Sequence, residues 1–173
     1  MKGVYEGFPD VIHKVAFFSY KIPTRNLQKM LILIFYRMNM AKESLNMPFP
    51  SSRNLEVVFE IGIADGLEFI FLDDKEKDKW LKFIEKETFR TLDFLCIIRY
   101  YVPRKRRKVP LKFDYYMLRF IFKSGTMEVA VHHERGTRRL TTRDLIMVIS
   151  ERINSELRKE KKPLLHLESL DIL

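Results

Sequence analysis

The sequence predicts an α+β fold: a mainly antiparallel sheet of about six strands with three helices, in the order β-α-β-β-α-β-β-β-α. Three observations predict it. Strand-like apolar stretches come in neighbouring pairs joined by a glycine turn, Asp65-Gly66 in one pair and Ser124-Gly125 in the other, and such hairpins build antiparallel ladders. Few helical stretches separate strands in the way a parallel crossover requires. The chain also has only six glycines, and none sits in a phosphate-binding loop. With 173 residues, 46% of them hydrophobic, the chain is long enough to bury one core, and a single domain over residues 1–173 is expected.

The first strand is "KVAFFSYKI" (residues 14–22), rich in aromatic side chains and closed by Pro23. A helix then opens at Pro23 or Thr24, with Leu27, Met30, Leu31, Ile34, Phe35 and Met38 at helical spacing. It is apolar nearly all round and should be the most buried helix. The stretch "MPFPSSRN" reads as a loop. In the hairpin "LEVVFEIGIADGLEFIFLDD", a two-residue turn at Asp65-Gly66 puts Val57, Phe59, Ile61 and Ile63 on one face with Ile70 and Leu72, and sets Phe69 opposite Gly62. "KEKDKWLKFIEKETFRTL" is the second helix, capped by Asp73 or Asp74, with Trp80, Leu81, Phe83, Ile84 and Leu92 turned inward. "DFLCIIRYYV" is apolar on both faces, which marks a central strand.

The second hairpin, "FDYYMLRFIFKSGTMEVAVHHER", can be checked by register. A turn at Ser124-Gly125 places Phe122, Phe120, Leu118 and Tyr116 beside Met127, Val129, Val131 and His133 on one face. Ile121, Arg119, Met117 and Tyr115 then meet Glu128, Ala130, His132 and Glu134 on the other. One face is core and the other mixed. The last helix, "TTRDLIMVISERINSELRKEKK", has Thr141 as N-cap with Asp144 three residues on; Leu145, Val148, Ile149, Ile153 and Leu157 face inward, and Pro163 stops it. The apolar tail, residues 163–173, is either mobile or docked on this chain or another.

Charged residues make up 32% of the chain, mostly Lys, Arg and Glu, with one Gln and one Cys, a balance typical of hyperthermophile proteins. The single Cys96 rules out an internal disulfide and a thiolate metal cage. "MLILIFY" falls far short of the ~20 apolar residues of a spanning helix, and no signal-peptide pattern begins the chain. A cytoplasmic protein with no membrane role is expected. The net charge of +9 is uneven: residues 99–162 hold 18 Lys and Arg against 7 Asp and Glu, so the whole excess lies there. That asymmetry points to an anionic polymer, RNA or DNA.

The strongest local signal is "YVPRKRRKVPLK", in which Arg104, Lys105, Arg106, Arg107 and Lys108 follow one another between Pro103 and Pro110. Read as a strand-to-strand loop, the run neutralises phosphates independently of sequence, with Tyr100 or Tyr101 offering a stacking surface. The plainer reading is a solvated connection whose charges protect a sheet edge. In "RGTRRLTTR", the amides of the helix start with Arg138, Arg139 and Arg143 make a phosphate site; the alternative pairs Arg139 and Arg143 with Glu134, Asp144 or Glu151. Both clusters on one side of the sheet would favour binding. In "HHE", strand alternation splits His132 from His133, leaving His132 and Glu134 as two ligands at most, and His13 and His166 lack motif spacing. No metal, cofactor or catalytic residue is expected, and Cys96 reads as a small buried hydrophobe. The chain is thus read as a noncatalytic nucleic-acid-binding module. The alternative is a protein-interaction or homo-oligomeric assembly module, since two-sided apolar strands suggest self-association.

Overall fold

The structure, a computed structural model, describes residues 1–41, 56–104 and 107–171, with backbone alone at 102–104 and 107–111. Its elements are β1 (Lys14–Ser19), α1 (Thr24–Met40), β2 (Glu56–Asp65), β3 (Glu68–Phe71), α2 (Asp74–Lys86), β4 (Thr91–Arg104), β5 (Arg107–Lys123), β6 (Thr126–Gly136), α3 (Thr142–Lys159) and β7 (His166–Asp171). The fold is α+β, as expected, with all strands in one antiparallel sheet ordered β3-β2-β4-β5-β6-β1-β7. There are seven strands rather than about six, because the apolar tail pairs with β1 as the edge strand β7. The loop expected at "MPFPSSRN" lies outside the described residues.

All three helices pack on one face of the sheet and share one core. Phe35 of α1 meets Phe94 of β4 and Phe120 of β5 edge-on, at centroid distances of 4.7 and 5.9 Å. The caps form where the sequence puts them. Asp73 accepts the Glu76 N–H at 2.8 Å and Thr141 accepts the Asp144 N–H at 3.1 Å. Three side-chain amides act as substitute peptide groups between layers. Gln28 bonds both the N–H and the C=O of Phe89, Asn39 those of Ile61, and Asn154 those of Leu165.

Two expectations need correcting. The second helix ends at Lys86, and Leu92 is a core residue of β4, not of the helix. The cause is remote: Gln28 on α1 takes up both the C=O and the N–H of Phe89 in hydrogen bonds of 2.6 and 3.0 Å, so neither is left to continue the helix. In the first hairpin, Asp65 pairs with Glu68, so the turn is Gly66-Leu67 and Gly62 stands opposite Phe71 rather than Phe69. Gly66, at φ +71°, takes the left-handed position that such a turn demands. It is pinned there by the N-terminal segment, whose Glu6 N–H and Val4 C=O bond its own backbone at 2.8 and 3.0 Å. Moving the turn by one residue shifts the pairing by two, so Ile61, Ile63, Ile70 and Leu72 keep a common face. The second hairpin has the expected register from Lys123↔Thr126 to Tyr116↔His133, and Phe120, Phe122, Met127 and Val129 are buried together. A bulge then puts Tyr115 opposite Arg135 instead of Glu134.

Residues 1–13 cross the face that the helices leave open, from Ala64 and Asp93 at one end to His132 and His133 on β6. The Gly3 N–H bonds Ala64 on β2, the Tyr5 N–H bonds the Asp93 carboxylate on β4, and the Arg119 guanidinium lies 4.2 Å over the Phe8 ring. The Val11 carbonyl then meets His132 Nδ1 at 2.6 Å on β6. No helix among the described residues is long and apolar enough to cross a membrane.

Candidate nucleic-acid interface

Strand register defines the opposite end of the sheet. Strand β2 accompanies β4 only as far as Glu56↔Tyr101, and β6 accompanies β5 only as far as Asp114↔Gly136. The β4–β5 ladder continues past both, through Val102↔Val109 and Pro103↔Lys108 to Arg104↔Arg107. Arg104, Arg107 and Lys108 of the basic run therefore belong to a two-stranded arm, not to a loop between strands. At ~3.3 Å per residue the arm reaches about 23 Å from Asp114 to Arg107. Prolines are compatible with such an arm, where a strand with no neighbour on its other side needs no donor there. Lys105 and Arg106, and the side chains of Arg104, Arg107 and Lys108, lie outside the described residues.

The second basic cluster leaves the sheet at this same end. β6 stops at Gly136 opposite Asp114, and the chain turns through Arg138, Arg139 and Leu140 into α3. The turn is built around the Asp114 side chain, which is fully buried. Asp114 accepts four hydrogen bonds: from Tyr100 Oη at 2.7 Å, His133 Nε2 at 2.8 Å, and the backbone N–H groups of Arg138 and Arg139 at 2.7 and 3.2 Å. The Arg138 Nε–H donates to His133 Nδ1 at 3.1 Å, which sets the tautomer that gives its Nε2–H to Asp114. Tyr100 Oη accepts the Leu140 N–H at 2.9 Å, and the Tyr116 hydroxyl donates to the Leu140 carbonyl. Gly136, at φ +120°, is required: a Cβ there would overlap Asp114 Oδ1 and the Phe113 carbonyl. Arg138, at φ +53°, completes a backbone concavity of the anion-binding kind.

That concavity is already filled by the protein's own carboxylate, and the cap Thr141 takes the Asp144 N–H. The phosphate site expected from backbone amides is thus reduced to side chains. Arg138 is tied to His133, whereas Arg139 and Arg143 are exposed and in no ion pair among the described residues. Two of the three partners proposed for them are engaged elsewhere, Glu134 with His132 and Glu151 with Arg158, and Asp144 is in no ion pair among the described residues.

Tyr100 cannot serve as a stacking surface. It is 2% exposed, faces the core, and burial together with its bond to Asp114 pushes its phenol pKa upward. Tyr101 is half-buried on the opposite face. That face carries side chains that sequence reasoning passed over. Phe113 is 45% exposed and stands opposite Arg99; Tyr115 stands opposite Ile97, and Met117 opposite Leu95. Arg135 lies 4.7 Å over the Tyr115 ring and 5.9 Å from that of Phe113. The alternation at 113, 115 and 117 was the available signal.

His132 and Glu134 share a face as expected, with Nε2 to Oε2 at 2.8 Å, and the His13 ring lies 5.0 Å from that of His132. Among the described residues no group of three or more His, Cys, Asp or Glu is placed to hold a metal ion. Burial raises the Cys96 thiol pKa well above its ordinary value.

The fold and this site define an antiparallel α+β protein with a basic arm at one end. Compared with known protein families, with curated proteins and with solved structures, the chain finds no significant match in any of the three.

Proposed function

We propose that the protein binds nucleic acid, RNA or DNA, as a noncatalytic module, using the run Arg104, Lys105, Arg106, Arg107 and Lys108 together with Arg139 and Arg143. One observation carries this reading. The ladder closing at Arg104↔Arg107 extends from the same end of the sheet at which Asp114↔Gly136 starts the turn bearing Arg138 and Arg139. Two basic clusters at one end attract a polyanion more strongly than either cluster alone. Arginines without carboxylate partners keep their donors available for phosphate oxygens.

The test is binding of a labelled oligonucleotide across a salt series. Replacing all five residues of the run with Ser should weaken binding whatever the sequence. It should also flatten the slope of log affinity against log salt by about 0.7 to 0.9 for each phosphate that is no longer neutralised. Stability should move by no more than about 0.5 kcal/mol. Absence of binding by the wild type at low salt, or a slope unchanged by the substitutions, would reject the reading.

A further inference from the structure

The open face beside the arm has a chemistry of its own. Phe113 and Tyr115 are successive outward residues of β5, their rings 5.2 Å apart and nearly perpendicular. Arg135 caps Tyr115, and Arg99, paired with Glu60, stands opposite Phe113. Leu95, Ile97 and Met117 make an apolar floor that is only half-buried. The helices cover the other face, and residues 1–13 cross at Asp93, Arg119 and His132 instead. A Phe left 45% exposed beside such a floor, with only the edge-to-face contact to Tyr115 and a distant Arg135 against it, marks an uncovered apolar patch.

Resting on the reading above, we propose that Phe113 and Tyr115 form a base-stacking site that makes this protein selective for single-stranded over duplex nucleic acid. Only unpaired, splayed bases present π-faces to a flat sheet; in a duplex those faces are already stacked on one another. The two residues are about 6.8 Å apart along the strand backbone, and their rings, 5.2 Å apart and nearly perpendicular, present their faces in different directions, so each takes its own base. Arg135 adds a cation beside the stacked rings. Charge complementarity selects this occupant over a second copy of the chain. Two copies meeting through this face would bring their Arg135 side chains and basic arms together in a chain of net charge +9, whereas a polyanion neutralises them.

The experiment measures affinity for a 15-nucleotide oligothymidylate and for a 15-base-pair duplex over a salt series, for wild type, the F113A/Y115A variant and the five-Ser arm variant. Stacking carries no counterion term, so the two sets of substitutions act on different parts of the plot. F113A/Y115A should weaken single-strand binding roughly 30-fold at every salt concentration with the slope unchanged, and leave duplex binding alone. The arm variant should instead flatten the slope for both ligands. On wild-type protein the Phe113 and Tyr115 ring resonances should shift when the oligothymidylate is added, a readout independent of how the variants fold. Equal wild-type affinity for both ligands, with F113A/Y115A unchanged and the ring resonances still, overturns the stacking site while leaving nucleic-acid binding intact. Binding of neither ligand overturns both. A wild-type dimer by light scattering that F113A/Y115A converts to monomer, with no nucleic-acid binding, assigns the face to self-association and also overturns both.

Discussion

Asp93 and Asp114 are both fully buried carboxylates on adjacent strands, yet they are satisfied in opposite ways. Asp93 points to the open face and is held by a formal charge: Arg119 grips it with two parallel hydrogen bonds of 2.8 Å, and the Tyr5 N–H adds a third of 2.8 Å. Asp114 points to the helix face and is held by two backbone amides, a phenol and an imidazole. Each fastens a chain segment to one end of the sheet, the N-terminal strap in one case and the β6–α3 turn in the other. What differs is replaceability. An ion pair can be removed as a unit, but a carboxylate that answers backbone donors cannot, because those donors remain whatever the side chains are.

The largest expected effect follows from this. Asp114→Ala leaves the Tyr100 hydroxyl, His133 and two peptide N–H groups without their acceptor, at a cost of about 4 kcal/mol. Asp114→Asn keeps one carbonyl oxygen but turns an amide donor towards other donors, and should cost about half as much. Urea unfolding of both variants measures this; a loss below about 1 kcal/mol for the Ala variant would mean that the turn is held by something else. Nucleic-acid affinity of a folded Asp114→Asn protein should also fall, because the backbone that carries Arg138 and Arg139 is then released.

This asymmetry also explains how much was legible in the sequence. Element types and order, the Ser124-Gly125 register and both helix caps follow from local pattern, and local pattern is all that a strand's alternation or a cap requires. The end of α2 and the turn at Gly66 do not, because Gln28 and residues 2–6 impose them from far away in the chain. At the candidate site the arginines were legible as a charge count. Asp114 was not, since half of its partners are backbone groups with no signature in side-chain chemistry. Tyr100 was misassigned for a related reason: alternation places it on the core face, but its proximity to the basic run outweighed its parity. Phe113 and Tyr115 have the outward parity, and nothing in the sequence says that the sheet's second face would be left uncovered there.

The second effect, somewhat smaller, tests the other carboxylate. Arg119→Met strands Asp93 in the interior and should cost about 3 kcal/mol. Arg119→Lys should recover little of this, because an ammonium cannot reproduce the two parallel bonds. Asp93→Leu combined with Arg119→Met should restore most of the loss, short of about 1 kcal/mol for the Tyr5 N–H left unpaired. Failure of the double variant to recover would show that the pair is no more separable than Asp114, and the contrast between the two ends would collapse.

The smallest effect concerns the histidine where the strap reaches β6. His13 Nδ1 accepts the His133 N–H at 2.9 Å, a bond that a ring protonated at Nδ1 cannot make. Burial, followed by the positive charge of Arg138 and then His132 and His133, holds the His13 pKa below its ordinary 6.5. With the folded value below the unfolded one, the unfolded chain takes up the proton first as pH falls. The contribution of His13 to stability is therefore complete above about pH 6.5 and declines as pH drops from there through the lowered folded value. His13→Asn keeps an acceptor oxygen where Nδ1 stands but cannot titrate. Between pH 8 and pH 5.5, the wild type should lose more stability than this variant in paired urea titrations, and the His13 ring resonances should titrate below those of a model peptide. Equal losses in the two proteins, with a His13 midpoint at the ordinary value, would show that this end of the strap does not sense the proton and that its hold on the sheet does not depend on pH in this range.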